Sequence, residues 1–130
     1  MGYYITSKGD KINIKSSITV LDLNCKDIVE LDISNCIKLK HLYCSANKLT
    51  ELDLSKNIKL ETLYCYNNQL TKLNTCNNIN LEELACTNTQ LTELNTSKCI
   101  KLKYLYCDIK TNINNINQYI NNENIEINQF

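Results

Sequence analysis

The chain is poor in the residues that most often carry dedicated chemistry. It has no arginine; all 14 of its basic residues are lysines. Arginine is the usual residue for a two-pronged grip on phosphate or carboxylate, so its absence argues against dedicated anion recognition. With two glycines in 130 residues, no glycine-rich phosphate loop can be built, and neither GxSxG nor HExxH occurs. The single histidine, His41, restricts zinc chemistry, which draws on close pairs such as CxxC with histidine nearby, and no such pair is present. No apolar run approaches the ~20 residues of a membrane span, and the opening MGYYITSKGDK lacks the basic and apolar regions of a signal peptide. Fourteen carboxylates balance the lysines, so no net field steers the chain to nucleic acid or an anionic membrane. These absences predict a small, single-domain cytoplasmic protein that is not an enzyme and uses no cofactor or metal, with nucleic acid an unlikely partner.

What is abundant is repetition. Cys44, Cys65, Cys86 and Cys107 stand 21 residues apart, within LKHLYCSANKL, LETLYCYNNQL, LEELACTNTQL and a truncated LKYLYCD. Aligned at that period, Ile18, Leu39, Leu60, Leu81 and Leu102 take the first position and Leu21, Leu42, Leu63, Leu84 and Leu105 the fourth. The sixth is Leu23 followed by the four cysteines. The ninth reads Lys26, Asn47, Asn68 and Thr89, and the twentieth Ile37, Ile58, Ile79 and Ile100. A fixed period of this size means that each unit is one coil, which hides its apolar side only by stacking on its neighbours.

The string LxxLxCxxNxL, followed by LTxLDLSxN, resembles the leucine-rich repeat consensus and is similar to the bacterial internalin-type repeats, particularly the 21-residue variety with a cysteine ladder. The resemblance covers residues 18–108 and implies a solenoid fold, with surface adhesion as one role if the protein is exported. It departs from the pattern at Lys26 and Thr89, which replace the ladder asparagine, and at Cys36 and Cys99, which stand where Asn57 and Asn78 occur.

The residues lead to the same architecture by themselves. Period-two alternation sends Leu42 and Cys44 inward and His41, Tyr43 and Ser45 outward, so each unit opens with a short strand. Stacked at about 4.8 Å, these strands form a parallel sheet on one face, ~20 Å long over five coils. Alternation in Leu52-Asp53-Leu54 predicts a second, shorter extended run on the other face, and the asparagine amides are expected to satisfy backbone groups inside the narrow coil. The expected fold is therefore a mainly-β repeat solenoid over residues 18–108. Residues 1–17 form an N-terminal cap, a hairpin of Tyr3–Thr6 with Lys11–Lys15 that closes the first coil. Residues 109–130 form a C-terminal cap, in which Ile109, Ile113, Ile116 and Ile120 suggest a short amphipathic helix, while Ile125–Ile127 either returns as a strand or hangs loose.

Two sets of residues bear on function. The ladder cysteines face inward and are expected to be free thiols that pack as small apolar groups; His41 points away from Cys44, which excludes a Cys–His pair between them. The outward face holds five of the eight tyrosines, and the second strand row holds none. Tyrosine offers a large rigid surface with a polar rim and is common at binding hot spots. The candidate partner-binding residues are thus His41, Tyr43, Tyr64, Tyr66, Glu83, Tyr104 and Tyr106. They suggest a protein-interaction module for a protein or peptide partner; the alternative is a self-associating element, for which the same face makes a homodimer. A lysine-rich ridge, comprising Lys38, Lys40, Lys56, Lys59, Lys98, Lys101 and Lys103 with Glu61 and Glu82 interrupting it, reads as a solvated edge.

Overall fold

The 21-residue period appears directly in the pairing of strands. The computed structural model describes residues 1–114 and 126–129. Along the chain, β1 (Gly2–Thr6), β2 (Lys11–Ile14), β3 (Val20–Asp22), β4 (Ile28–Asp32), β5 (His41–Tyr43), β6 (Thr62–Tyr64), β7 (Glu83–Ala85), β8 (Glu93–Asn95), β9 (Tyr104–Cys107), β10 (Asn112–Asn114) and β11 (Glu126–Gln129) follow in order. The main sheet is parallel and runs β11-β9-β7-β6-β5-β3. Its register is that of the repeat: Leu21, Leu42, Leu63, Leu84 and Leu105 lie side by side. Backbone bonding continues beyond the assigned strands, as Cys44 N donates to Tyr64 O, Cys65 N to Ala85 O and Cys86 N to Tyr106 O.

Between the sheet and the opposite wall lies a single narrow core. Leu39, Leu42, Leu49, Leu60, Leu63, Leu70, Leu81, Leu84 and Leu91 are wholly buried, and so are the ladder thiols of Cys44 and Cys65. Each such leucine contributes roughly 1.5–3 kcal/mol, and stacking supplies what one thin coil lacks.

Each coil leaves its strand by the same device. Cys25, Ala46, Asn67 and Asn88, all at the eighth position, adopt left-handed backbone with φ of 57°, 55°, 55° and 51°. In the coils after the first, that bend swings the ninth residue, Asn47, Asn68 or Thr89, inward. Asn47 Oδ1 accepts from Lys26 N and Ile28 N, while its Nδ2 donates to Leu23 O and Cys44 O. Asn68 repeats the arrangement, accepting from Leu49 N and donating to Cys44 O and Cys65 O. These amides tie each coil to the one before. The replacement at position 89 weakens the tie: Thr89 Oγ1 donates to Cys86 O and accepts from Leu91 N, both within its own coil.

The opposite wall is less regular. Leu52 and Leu54 are buried and Asp53 is exposed, so the expected alternation is present, but among the described residues after the hairpin, strands on this side are confined to β4, β8 and β10. The N-terminal hairpin forms, with Gly2 opposite Ile14 and Ile5 opposite Lys11, and Gly9 supplies a φ of +89° in its loop. It docks through β1 antiparallel to β4. The hairpin therefore closes the wall side of the first coil and leaves β3 at the edge of the main sheet.

The C-terminal helix expected from Ile109, Ile113, Ile116 and Ile120 needs correcting. Among the described residues there is no helix: Ile109 is exposed in a turn, and Ile113 sits in β10, paired parallel with Leu94 of β8. The backbone groups of β8 template a strand there, and asparagine-rich sequence has little helix propensity with which to compete. Ile116 and Ile120 lie outside the described residues. The chain then adds a sixth strand, β11, with Ile127 beside Leu105 and Gln129 beside Cys107.

Candidate binding face

The outward face is organised in columns running across the strands. The first column is Val20, His41, Thr62, Glu83, Tyr104 and Glu126, and the second is Asp22, Tyr43, Tyr64, Ala85, Tyr106 and Asn128. Tyr66 and Thr87 continue outward one step further along their coils. His41, Tyr43, Tyr64, Tyr66, Glu83, Tyr104 and Tyr106 thus share one surface. All are partly or largely exposed.

Their contacts make a packed aromatic layer. Tyr43 and Tyr64 meet edge to face with ring centres 5.2 Å apart at 79°, and Tyr66 lies 6.4 Å from Tyr64 at 48°. Edge-to-face rings of this kind are worth ~0.5–1.5 kcal/mol beyond area burial. Tyr64 donates its hydroxyl to Glu83 Oε2 at 2.7 Å. That bond, then burial and the carboxylate's charge, pushes the Tyr64 pKa up to about 12. His41 Nδ1 lies 3.1 Å from Thr62 Oγ1, and its Nε2 is 4.0 Å from Glu61 Oε2. The rings cover Thr62 and Ala85, which are buried although they point outward.

One cavity opens on this face. Where the second column has Ala85 between Tyr64 and Tyr106, a hollow of about 320 Å³ is lined by Tyr64, Tyr66, Ala85, Thr87 and Tyr106. A wider depression on the opposite wall, of about 800 Å³, is lined by Glu30, Glu51, Asp53 and Lys72 among others and has no aromatic ring.

Two features were less visible in the sequence. Ile37, Ile58, Ile79 and Ile100 form an exposed apolar column, each at least half accessible, and nothing in the structure covers it. Within the neighbouring lysine ridge, Lys40 and Lys103 are drawn off by Glu61 and Glu82 at 3.0 and 2.8 Å. The ladder thiols are packed into the core. Burial pushes the Cys44 pKa up to about 12 and raises those of Cys65 and Cys86 as well, which keeps them protonated and inert. Cys44 is buried while His41 faces out, so these two cannot act together. Among the described residues, no group of three or more metal-ligating side chains comes together.

The stacked coils, the sheet register and the cysteine column can be compared with known proteins. The family model described as Leucine Rich repeats (2 copies) matches residues 37–78. Among solved structures, the chain is similar to the functional domain of InlJ from Listeria monocytogenes, described as including a cysteine ladder, with 36% identity and a TM-score of 0.73 over 77% of this chain. The chain is a leucine-rich repeat protein. It spans 23% of the length of the InlJ structure. No curated protein matches it in sequence. Leucine-rich repeats act broadly in protein–protein interaction, and no helix among the described residues is long and apolar enough to cross a membrane.

Proposed function

We propose that this leucine-rich repeat protein is an interaction module that holds a protein or peptide partner on the outward face of its main sheet. The observation carrying this reading is the aromatic layer of Tyr43, Tyr64 and Tyr66 with Tyr104 and Tyr106. These are rigid side chains on one face of a sheet, at least partly exposed, which lose little conformational entropy when a partner covers them. His41 and Glu83 lie on the same face as polar contacts. The sheet's core is on the other side, so the interior does not dictate tyrosine at these positions. Eight unpaired thiols suit a reducing compartment, and the proposed location is the cytoplasm.

The test is affinity capture with the wild type and a Tyr64→Ser/Tyr106→Ser variant, run beside light scattering on both. A partner retained by the wild type and lost from the folded variant supports the reading. A wild-type dimer that the double substitution makes monomeric assigns the face to self-association instead. Equal capture by both proteins overturns the proposal.

A further inference from the structure

The hollow at Ala85 has a chemistry narrower than that of an apolar groove. It is bounded by three tyrosine rings, those of Tyr64, Tyr66 and Tyr106, with Ala85 as its floor. Tyr64 and Tyr106 flank Ala85 on adjacent strands, so their backbones stand two strand spacings apart, about 9.6 Å. One flat group between two rings needs ~7–8 Å at ordinary carbon contact, and two need ~11 Å. There is room for one side chain.

The charge around the hollow says which kind. The outward columns carry Asp22, Glu83 and Glu126 and contain no lysine, although the chain has 14. Glu83 accepts the hydroxyl of Tyr64, which lines the hollow, and among the described residues no lysine amine lies within ion-pair distance of Glu83, although Lys103, paired with Glu82, is near enough to feel its charge. Aromatic faces are electron-rich and attract cations within about 6 Å of the ring centre. A neutral side chain entering here would shield the Glu83 carboxylate from water while giving it no partner beyond the Tyr64 hydroxyl, which carries a desolvation cost. A cation satisfies both the rings and the carboxylate.

We infer that the Ala85 hollow receives a cationic side chain, arginine in preference to lysine, from the bound partner. This rests on the interaction-module reading above and specifies the partner as one presenting a basic segment. Arginine is preferred because its planar guanidinium stacks between rings while its edge donates to Glu83, which the compact ammonium of lysine does less well.

The experiment is an amide NMR titration of the full chain with acetyl-Gly-Arg-Gly-amide. The same peptide carrying citrulline, an uncharged isostere, serves as the control. The arginine peptide is expected to bind saturably with a dissociation constant of about 1–10 mM, to shift the Ala85 and Thr87 amides most, and to weaken with added salt. Citrulline is expected to bind at least about tenfold more weakly. Ala85→Tyr, which refills the column without touching the core, is expected to abolish binding while leaving the remaining spectrum in place. Glu83→Gln is expected to weaken it about three- to tenfold. Equal binding of arginine and citrulline, saturable binding by Ala85→Tyr, or no saturable binding by the wild type overturns the inference. If Tyr64→Ser/Tyr106→Ser loses a captured partner while Ala85→Tyr and Glu83→Gln keep it, the interaction-module reading stands and the cation pocket alone fails.

Discussion

Replacing Asn68 by alanine should cost about 3 kcal/mol, for a reason visible in the bonding of three backbone groups. Asn68 Oδ1 is the acceptor for Leu49 N, and Nδ2 donates to Cys44 O and Cys65 O. On truncation, Cys44 O keeps its bond from Asn47 Nδ2, but Leu49 N and Cys65 O lose these partners inside the coil. A buried group left without a partner costs ~1–3 kcal/mol, so two of them give roughly 2–6 kcal/mol, and a loss of about 3 kcal/mol corresponds to a fall in Tm of roughly 10 °C for a domain of this size. Asn57 is the matched control. It donates to Ile33 O and Cys36 O, but its own Oδ1 has no partner, so Asn57→Ala removes one unsatisfied atom along with two bonds and should cost ~1 kcal/mol. Urea unfolding under reducing conditions, followed by circular dichroism, measures both. A loss below about 1 kcal/mol for Asn68→Ala, or equal losses for the two variants, would refute the assignment of the ninth-position amide as the tie between coils.

Other consequences can be checked more briefly. Ala46 occupies left-handed backbone at φ 55°, where a residue other than glycine, asparagine or aspartate pays ~1–2 kcal/mol, so Ala46→Asn should raise stability by ~0.5–1 kcal/mol in the same assay. In native protein at mildly alkaline pH, a thiol reagent should label Cys25 and Cys76 quickly and the six buried cysteines only on unfolding; rapid labelling of the ladder would contradict the packing. Because the Tyr64 pKa is raised from 10.0 to about 12 in the folded chain, its contribution to stability is complete below pH 10 and is lost as pH climbs through 12. Glu83→Gln should abolish that late-ionising tyrosine in an ultraviolet titration. Finally, duplicating residues 60–80, one whole period, should yield a folded chain with a longer sheet, whereas inserting half that length should not.

The architecture was legible because one period sets both spacing and facing. Leu42, Cys44 and Tyr43 are assigned to inside and outside by alternation alone, and the pairing of Leu42 with Leu63 follows from their shared place in the repeat. The turn at the eighth position was not legible, because Cys25, Ala46, Asn67 and Asn88 share a backbone conformation without sharing a side-chain type. The C-terminal reading failed at Ile109 and Ile113, where the period fails. Leu94 and its strand partner Ile113 stand 19 residues apart, so spacing no longer marked the coil, and the four-residue step from Ile109 to Ile113 imitated a helix. The candidate face was legible as a group of tyrosines, whereas the hollow depends on a missing one at Ala85, which is conspicuous only once the column has been assembled. The exposed isoleucine column was in view as a repeat position, but repetition in sequence does not distinguish an inward row from an outward one at a turn.

In-register stacking divides the labour between memory and message. The leucine and thiol columns say the same thing in every coil, so they hold the array together whichever coils are present. The outward columns are under no such obligation: a letter in one coil can change while the coils on either side keep their spacing and backbone bonds. Ala85 is one such changed letter, and it alone turns a continuous aromatic row into a row with an opening. The opening is thus an interruption of the chain's own regularity, and two outward substitutions, one filling Ala85 and one truncating the neighbouring tyrosine, would move it by one strand spacing, about 4.8 Å, without asking the interior to rearrange.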